Sequence, residues 1–239
     1  MKIELKDVFV NYQTKKTTIL ALKNINLTIN ENDFVVLYGP SGSGKTTLLK
    51  VLLGLIPYEG RITFNGIDAN LISTQERNLS YISQKNTLYP NLTIFDNLAF
   101  PLKLQKISFN EIKQRIYEVT KELSIEWLLT RKPKQISLGQ QQQVALAKSL
   151  LKNSEVFLFD EPFSNVDYKK RVELRHQIKK IHNLLNSPFI FVTHDKEEAL
   201  ALATHIVIID NHEIIGYDSI ENINKDPKAK FLKEYMEDE

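Results

Sequence analysis

The chain has 239 residues, 42% hydrophobic and 25% charged, the balance of an ordinary globular protein with one large domain or two small lobes. Its net charge of +2 gives no electrostatic footprint for a nucleic-acid partner, and the absence of cysteine excludes disulfides and thiolate metal sites. The start, Met1-Lys-Ile-Glu-Leu-Lys-Asp7, has no signal-like apolar region, and no apolar run approaches the roughly 18 residues that span a bilayer. The expectation is a soluble chain of a reducing compartment, reaching any membrane through a partner.

Residues 1 to 38 alternate apolar and polar positions, as Ile3, Leu5, Val8 and Val10 and then Ile25, Leu27 and Ile29 show, which predicts β-strands. Lys15 and Lys16 lie in the polar stretch expected to form a hairpin loop. The apolar run from Phe34 to Leu37 predicts a further strand, and Thr47 to Leu55 a helix. Between them stands Gly39-Pro-Ser-Gly-Ser-Gly-Lys45-Thr46, a full G-x-x-x-x-G-K-[ST] match. A strand, a glycine-rich turn and a helix start are the setting in which this motif cradles phosphate. Gly39, Gly42 and Gly44 allow backbone N–H groups to turn inward, Lys45 reaches the β- and γ-phosphates, and the Thr46 hydroxyl can ligate Mg²⁺.

Gly60 to Phe64 predicts another strand, closed by an Asn65-Gly66 turn. From about 87 to 150 the pattern is mostly helical, with Ile112, Ile116, Val119 and Leu123 on one face, and the Gln140 to Gln143 run continues a helix. Val156 to Phe159, Phe189 to Val192 and Ile206 to Ile209 are short apolar runs that suit buried parallel strands. Alternating with helices, they predict an α/β sheet with a helical lobe inserted into it. Val156-Phe-Leu-Phe-Asp160-Glu161 ends its strand in two carboxylates. Asp160 is placed to hold Mg²⁺, partly through water, and Glu161 to polarise an attacking water. His194 closes the strand Phe189 to Val192, at the carboxyl end where open α/β sheets bind ligands.

Taken with Gln84, Ile136-Ser-Leu-Gly-Gln140 and Ser164-Asn-Val-Asp167, these elements resemble the ABC-transporter ATPase family over essentially the whole chain. The resemblance implies an α/β fold: a P-loop NTPase (RecA-like) core with an N-terminal antiparallel β subdomain and an inserted helical subdomain. It implies a single ABC ATPase domain over 1–239, with 1–86 and 151–239 as core and β subdomain and 87–150 as the helical signature subdomain. Gly39, Pro40, Ser41, Gly42, Ser43, Gly44, Lys45, Thr46 and Thr47 look like its Walker A, and Tyr12 like the aromatic that stacks on adenine. Gln84 looks like the Q-loop, shared between catalysis and Mg²⁺, and His194 like the switch histidine that acts beside Glu161. Ser137, Gly139, Gln140 and Asp167 look like the groups one subunit offers to the nucleotide of its partner. ATP and Mg²⁺ are the implied ligands. A head-to-tail dimer, of like or similar subunits, is implied on a membrane permease at the inner face of the cell membrane, with no nucleic acid.

Two positions depart from the family pattern. Leu138 stands where the signature usually has glycine, which predicts strain if that backbone needs positive φ, and Gln143 stands where arginine is common. The segment Leu88 to Phe100 resembles importer ATPases of the carbohydrate, polyamine and related solute group. Those usually carry a further β-rich regulatory domain, and a chain stopping at Glu239 is expected to lack it. ATPases of amino-acid, metal and lipoprotein systems, export included, therefore remain alternatives. A non-transport ATPase of the same superfamily is disfavoured, because the gap between Gln84 and Ser137 holds a helical lobe but no coiled coil.

Overall fold

The computed structural model describes residues 1–13, 17–83, 88–164, 166–225, 232 and 234–236. The expected hairpin loop at Lys15 and Lys16 and the residue Gln84 lie outside the described residues. In chain order the elements are β1 (Ile3–Gln13), β2 (Thr18–Ile29), β3 (Phe34–Tyr38), α1 (Lys45–Leu52), β4 (Glu59–Phe64), β5 (Ile67–Asp68) and β6 (Leu79–Ile82). There follow α2 (Ile94–Leu104), α3 (Phe109–Glu122), α4 (Leu138–Leu150), β7 (Val156–Asp160), α5 (Tyr168–Leu185), β8 (Phe189–Val192), α6 (Lys196–Leu202), β9 (His205–Asp210), β10 (Glu213–Ser219) and α7 (Ile220–Lys225). The chain divides into two compact units, the first formed by 1–79, 155–160 and 182–239, the second by 80–154 and 161–181.

The first unit contains two sheets. One is antiparallel, in the order β2-β1-β4-β5. Ile3, Leu5, Val8 and Val10 of β1 face inward, as their alternation requires, and a left-handed Asp7 marks the register shift between Lys6 and Phe9. The other has the order β10-β9-β3-β8-β7 within this unit. There β3 runs parallel to both β8 and β9, and β7 parallel to β8. Every residue of β3, β7 and β8 is buried, which is why these strands read as unbroken apolar runs rather than alternations. The rings of Phe34, Phe157, Phe159, Phe189 and Phe191 meet at centroid separations of 5.0–6.0 Å and form part of the core of this sheet.

The second unit is helical. Thr93 caps α2, Ser108 caps α3 and Ser137 caps α4, each hydroxyl accepting a backbone N–H from the first turn. The fully buried Asn97 accepts the N–H of Tyr89 at 2.7 Å and donates to the carbonyls of Tyr89 and Thr93 at 3.1 and 2.9 Å. One amide thereby fixes the turn from Tyr89 to Thr93 that leads into α2.

Candidate functional site

The glycine-rich turn joins β3 to α1. Gly39 has φ +139°, and a Cβ there would lie 2.1 Å from the carbonyl oxygen of Ile209; Gly44, at φ +110°, would put one 2.5 Å from the carbonyl oxygen of Ala21. Only glycine fits either position. The eight residues of α1 begin with no side-chain cap and no acidic residue in the first turn. Its N–H donors and positive dipole end therefore suit an anion.

Lys45 is buried at 6% exposure, and its ammonium donates to the carbonyls of Gly39 at 2.6 Å and Pro40 at 2.7 Å, with the Ser43 hydroxyl at 3.5 Å. The side chain folds back over the turn it follows. Thr46 donates its hydroxyl hydrogen to Asp160 Oδ1 at 2.8 Å, although 114 residues separate the two in sequence. Asp160 ends β7, buried at 6% exposure. The Tyr12 hydroxyl lies 3.3 Å from that of Thr47, and the ring is 36% exposed near the free end of β1. His194 follows β8 and is exposed. Thr193, just before it, is buried and donates its N–H to the carbonyl of Leu37 at 3.2 Å, next to the glycine-rich turn. The first unit therefore brings together Tyr12, the turn from Gly39 to Thr47, and Asp160, with His194 tied to the strand that feeds the turn.

The remaining expected residues belong to the second unit. Glu161 stands at φ +47°, a left-handed conformation that a side-chain-bearing residue adopts only at a cost, and its carbonyl accepts the N–H of Ser164 at 3.3 Å. Ser137 and Gln140 form a reciprocal cap: the Ser137 hydroxyl accepts the N–H of Gln140 at 3.2 Å, and the Gln140 side chain accepts the N–H of Ser137 at 2.9 Å. The S-x-x-Q spacing announces this cap. Leu138 is the first residue of α4, outside the positive-φ residues and 62% exposed. The strain expected at this leucine does not arise, because its backbone is right-handed helix and its side chain points to solvent. Gly139 is the second residue of the same helix. Asp167 accepts the N–H of Lys170 at 3.0 Å at the start of α5. Gln143 is buried, and its amide nitrogen has no hydrogen-bond partner among the described residues.

Several contacts went unread in the sequence. Arg77 is buried and donates to the carbonyls of Leu52 at 2.7 Å and Ala69 at 2.9 Å, clamping the end of α1 to the following segment. A lone arginine carries no local signal of such a long-range bond. Glu198 is 4% exposed and accepts the Thr193 hydroxyl hydrogen at 2.6 Å. Here Asp195 and Glu198 have the D-x-x-E spacing of a helix start, which was a readable signal.

A family model described as ABC transporter matches residues 22–164, and the chain belongs to that family. It is 40% identical to the spermidine/putrescine import ATP-binding protein PotA of Legionella pneumophila (strain Paris) over 89% of this chain and 57% of that protein. It is 38% identical to the oligosaccharides import ATP-binding protein MsmX of Bacillus subtilis (strain 168), over 97% of this chain and 63% of that one. With the sulfate/thiosulfate import ATP-binding protein CysA of Pseudomonas aeruginosa it shares 36% identity over its full length and 73% of the relative. The chain thus spans less than two thirds of the length of PotA and MsmX. Among solved structures it is similar to a dimeric ATP-binding cassette in a post-hydrolysis state bound to ADP and phosphate. The TM-score is 0.83 and the identity 31%, covering 91% of this chain and 98% of that one. The fold is accordingly the mixed α/β P-loop cassette expected from the sequence.

Proposed function

We propose that this chain binds and hydrolyses ATP as the motor subunit of a solute importer, working as a pair of cassettes on a membrane permease. The observation that carries this reading is the hydrogen bond from Thr46 to Asp160 beside the folded-back Lys45. A hydroxyl and a carboxylate oxygen at 2.8 Å, next to a phosphate cradle, are the hard oxygen donors that suit Mg²⁺ shared with phosphate oxygens. When bound there, Mg²⁺ would neutralise charge developing on the phosphates.

The residues divide the work. The N–H groups of the turn and Lys45 bind the phosphates, and Tyr12 offers its ring to the base. Glu161 holds the attacking water and takes up its proton, His194 meets the γ-phosphate, and Gln84 would help hold the water and the metal. Ser137, Gly139, Gln140 and Asp167 serve the partner's nucleotide: the N-terminus of α4 supplies backbone donors to an anion. The dimeric state of the similar cassette supports this pairing.

The permease is expected to dock at the turn of Leu88, Tyr89 and Pro90. Tyr89 is 44% exposed, its ring 5.0 Å from that of Phe100, and the Lys148 ammonium sits 4.8 Å above it. Asn97 holds this aromatic patch in place. Docking puts the subunit at the cytoplasmic face of the membrane. The relatives import polyamines, oligosaccharides and sulfate, which supports a small polar solute as cargo.

Glu161→Gln tests the reading. It keeps shape and hydrogen-bonding reach but accepts no proton. The expected outcome is no hydrolysis, a monomer without nucleotide and a stable dimer with ATP but not ADP, read by size-exclusion chromatography with light scattering. Normal turnover would remove Glu161 from its role, and an inactive variant that never pairs with ATP would overturn the two-subunit site.

A further inference from the structure

His194 is exposed just past the end of β8, and the direction of its imidazole depends in part on how its backbone is held. The backbone is held from both sides. Before it, Thr193 donates its N–H to Leu37, at 3.2 Å, on the strand that enters the glycine-rich turn. After it, the Asp195 carboxylate accepts the N–H of Glu198 at 2.9 Å and the Asp195 carbonyl accepts the N–H of Ala199 at 3.1 Å, starting α6.

The two sides are joined through Glu198. In an ordinary capping box, a glutamate at this position reaches back to the N–H of the cap residue. Here the N–H of Asp195 donates instead to the Thr193 hydroxyl at 3.0 Å, and that hydroxyl passes its own hydrogen to Glu198 Oε2 at 2.6 Å. The carboxylate therefore reaches one step further, to the residue preceding the histidine. His194 sits inside a ring of side-chain bonds that runs Thr193, Glu198, Asp195 and back to Thr193. Thr193 is 3% exposed and Glu198 is 4% exposed, so water competes little for these bonds. A short hydroxyl–carboxylate bond in such surroundings is strong and directional.

We propose that Glu198 is a positioning residue for His194: its buried carboxylate fixes the Thr193 hydroxyl and so holds the backbone that carries the imidazole. The proposal rests on the reading of His194 as the group that meets the γ-phosphate. Glu198→Ala removes the acceptor, whereas Glu198→Gln keeps a carbonyl oxygen for the Thr193 hydroxyl.

Steady-state ATPase is measured for Glu198→Ala, Glu198→Gln, His194→Ala and the double variant His194→Ala with Glu198→Ala. Glu198→Ala is expected to lower kcat on the order of ten- to a hundredfold, the scale of misplacing a catalytic group by about an ångström. Its KM for ATP should stay within about twofold, and Glu198→Gln should retain most of the activity. On the His194→Ala background, Glu198→Ala should add no further loss. A second loss of the same size there, or a proportionate rise in KM, would overturn the proposal. If His194→Ala alone leaves turnover unchanged, the reading of His194 fails, and the nucleotide-free protein still decides the role of Glu198. The imidazole resonance of His194, assigned by its loss in His194→Ala, should be single in the unaltered protein and in Glu198→Gln. It should shift or broaden in Glu198→Ala. An unmoved resonance in Glu198→Ala would refute the positioning role.

Discussion

The Thr46 hydroxyl donates to Asp160 at 2.8 Å across 114 residues of sequence. This bond joins the first turn of α1 to the end of β7 and brings two oxygen donors together beside the glycine-rich turn. In Asp160→Asn the amide oxygen still accepts the threonine hydrogen, so the fold should survive while the charge is lost. The Mg²⁺-dependent gain in ATP affinity should then fall by about 1.5–3 kcal/mol, roughly ten- to a hundredfold. Calorimetric titration with ATP in Mg²⁺ and in EDTA reads the difference. An equal loss in both buffers would assign Asp160 a purely structural role.

Lys45→Ala removes the cation that binds the Gly39 and Pro40 carbonyls at 2.6 and 2.7 Å. ATP binding should be lost or greatly weakened, each charge-assisted contact being worth about 1.5–3 kcal/mol. The variant without nucleotide should also melt lower than the unaltered chain, because the same ammonium bonds the carbonyls of the turn. Near-normal ATP affinity would contradict the phosphate-cradle reading.

Leu138→Gly should be nearly silent. The leucine is the first residue of α4 and 62% exposed, so no strain is relieved and little packing is lost. Glycine costs at most about 1 kcal/mol in a helix, and less in a first turn that Ser137 and Gln140 already cap. Thermal melting and ATPase rate together check this. A large loss of turnover with unchanged stability would show that the exposed side chain itself touches a partner.

His182 carries a pH dependence of stability. It is 6% exposed, and its ring packs edge-on against Phe34 at 5.1 Å and Phe189 at 4.9 Å. Burial holds its pKa below the ordinary 6.5, although the backbone and carboxylate of Asp33 partly oppose this. The unfolded chain therefore takes up a proton that the folded chain resists. The stabilisation is complete above pH 6.5 and is lost as pH falls through the folded pKa, at no more than about 1.4 kcal/mol per pH unit. In His182→Phe that part of the slope should vanish, read from denaturant unfolding between about pH 7 and 5. An unchanged slope would assign the acid sensitivity to other groups.

Local chemistry made much of this molecule readable in advance. Phe34 to Leu37, Val156 to Phe159 and Phe189 to Val192 are continuous apolar runs because parallel strands are covered on both faces. The glycine-rich turn was legible because three glycines, a lysine and a threonine stand at fixed spacing between a strand and a helix. What escaped was of another kind. The bond of Arg77 to the end of α1 depends on how distant segments fold back, which spacing cannot reveal. The cap on α4 is local and legible as S-x-x-Q, a role for Ser137 and Gln140 in their own helix beside the one the family resemblance implies. At Leu138 strain was expected only for a positive-φ backbone, and a right-handed helix start has room for any side chain.

The folded-back Lys45 has a consequence for how quickly the cradle fills. Because the ammonium grips the carbonyls of Gly39 and Pro40, the lysine and the turn hold each other in one defined arrangement. A nucleotide whose phosphates take up the lysine would exchange those two carbonyl contacts for its own oxygens. Association should then be limited by encounter and by a rotamer change, which is fast beside loop refolding, while affinity is read as the difference between two sets of lysine contacts rather than the sum of one.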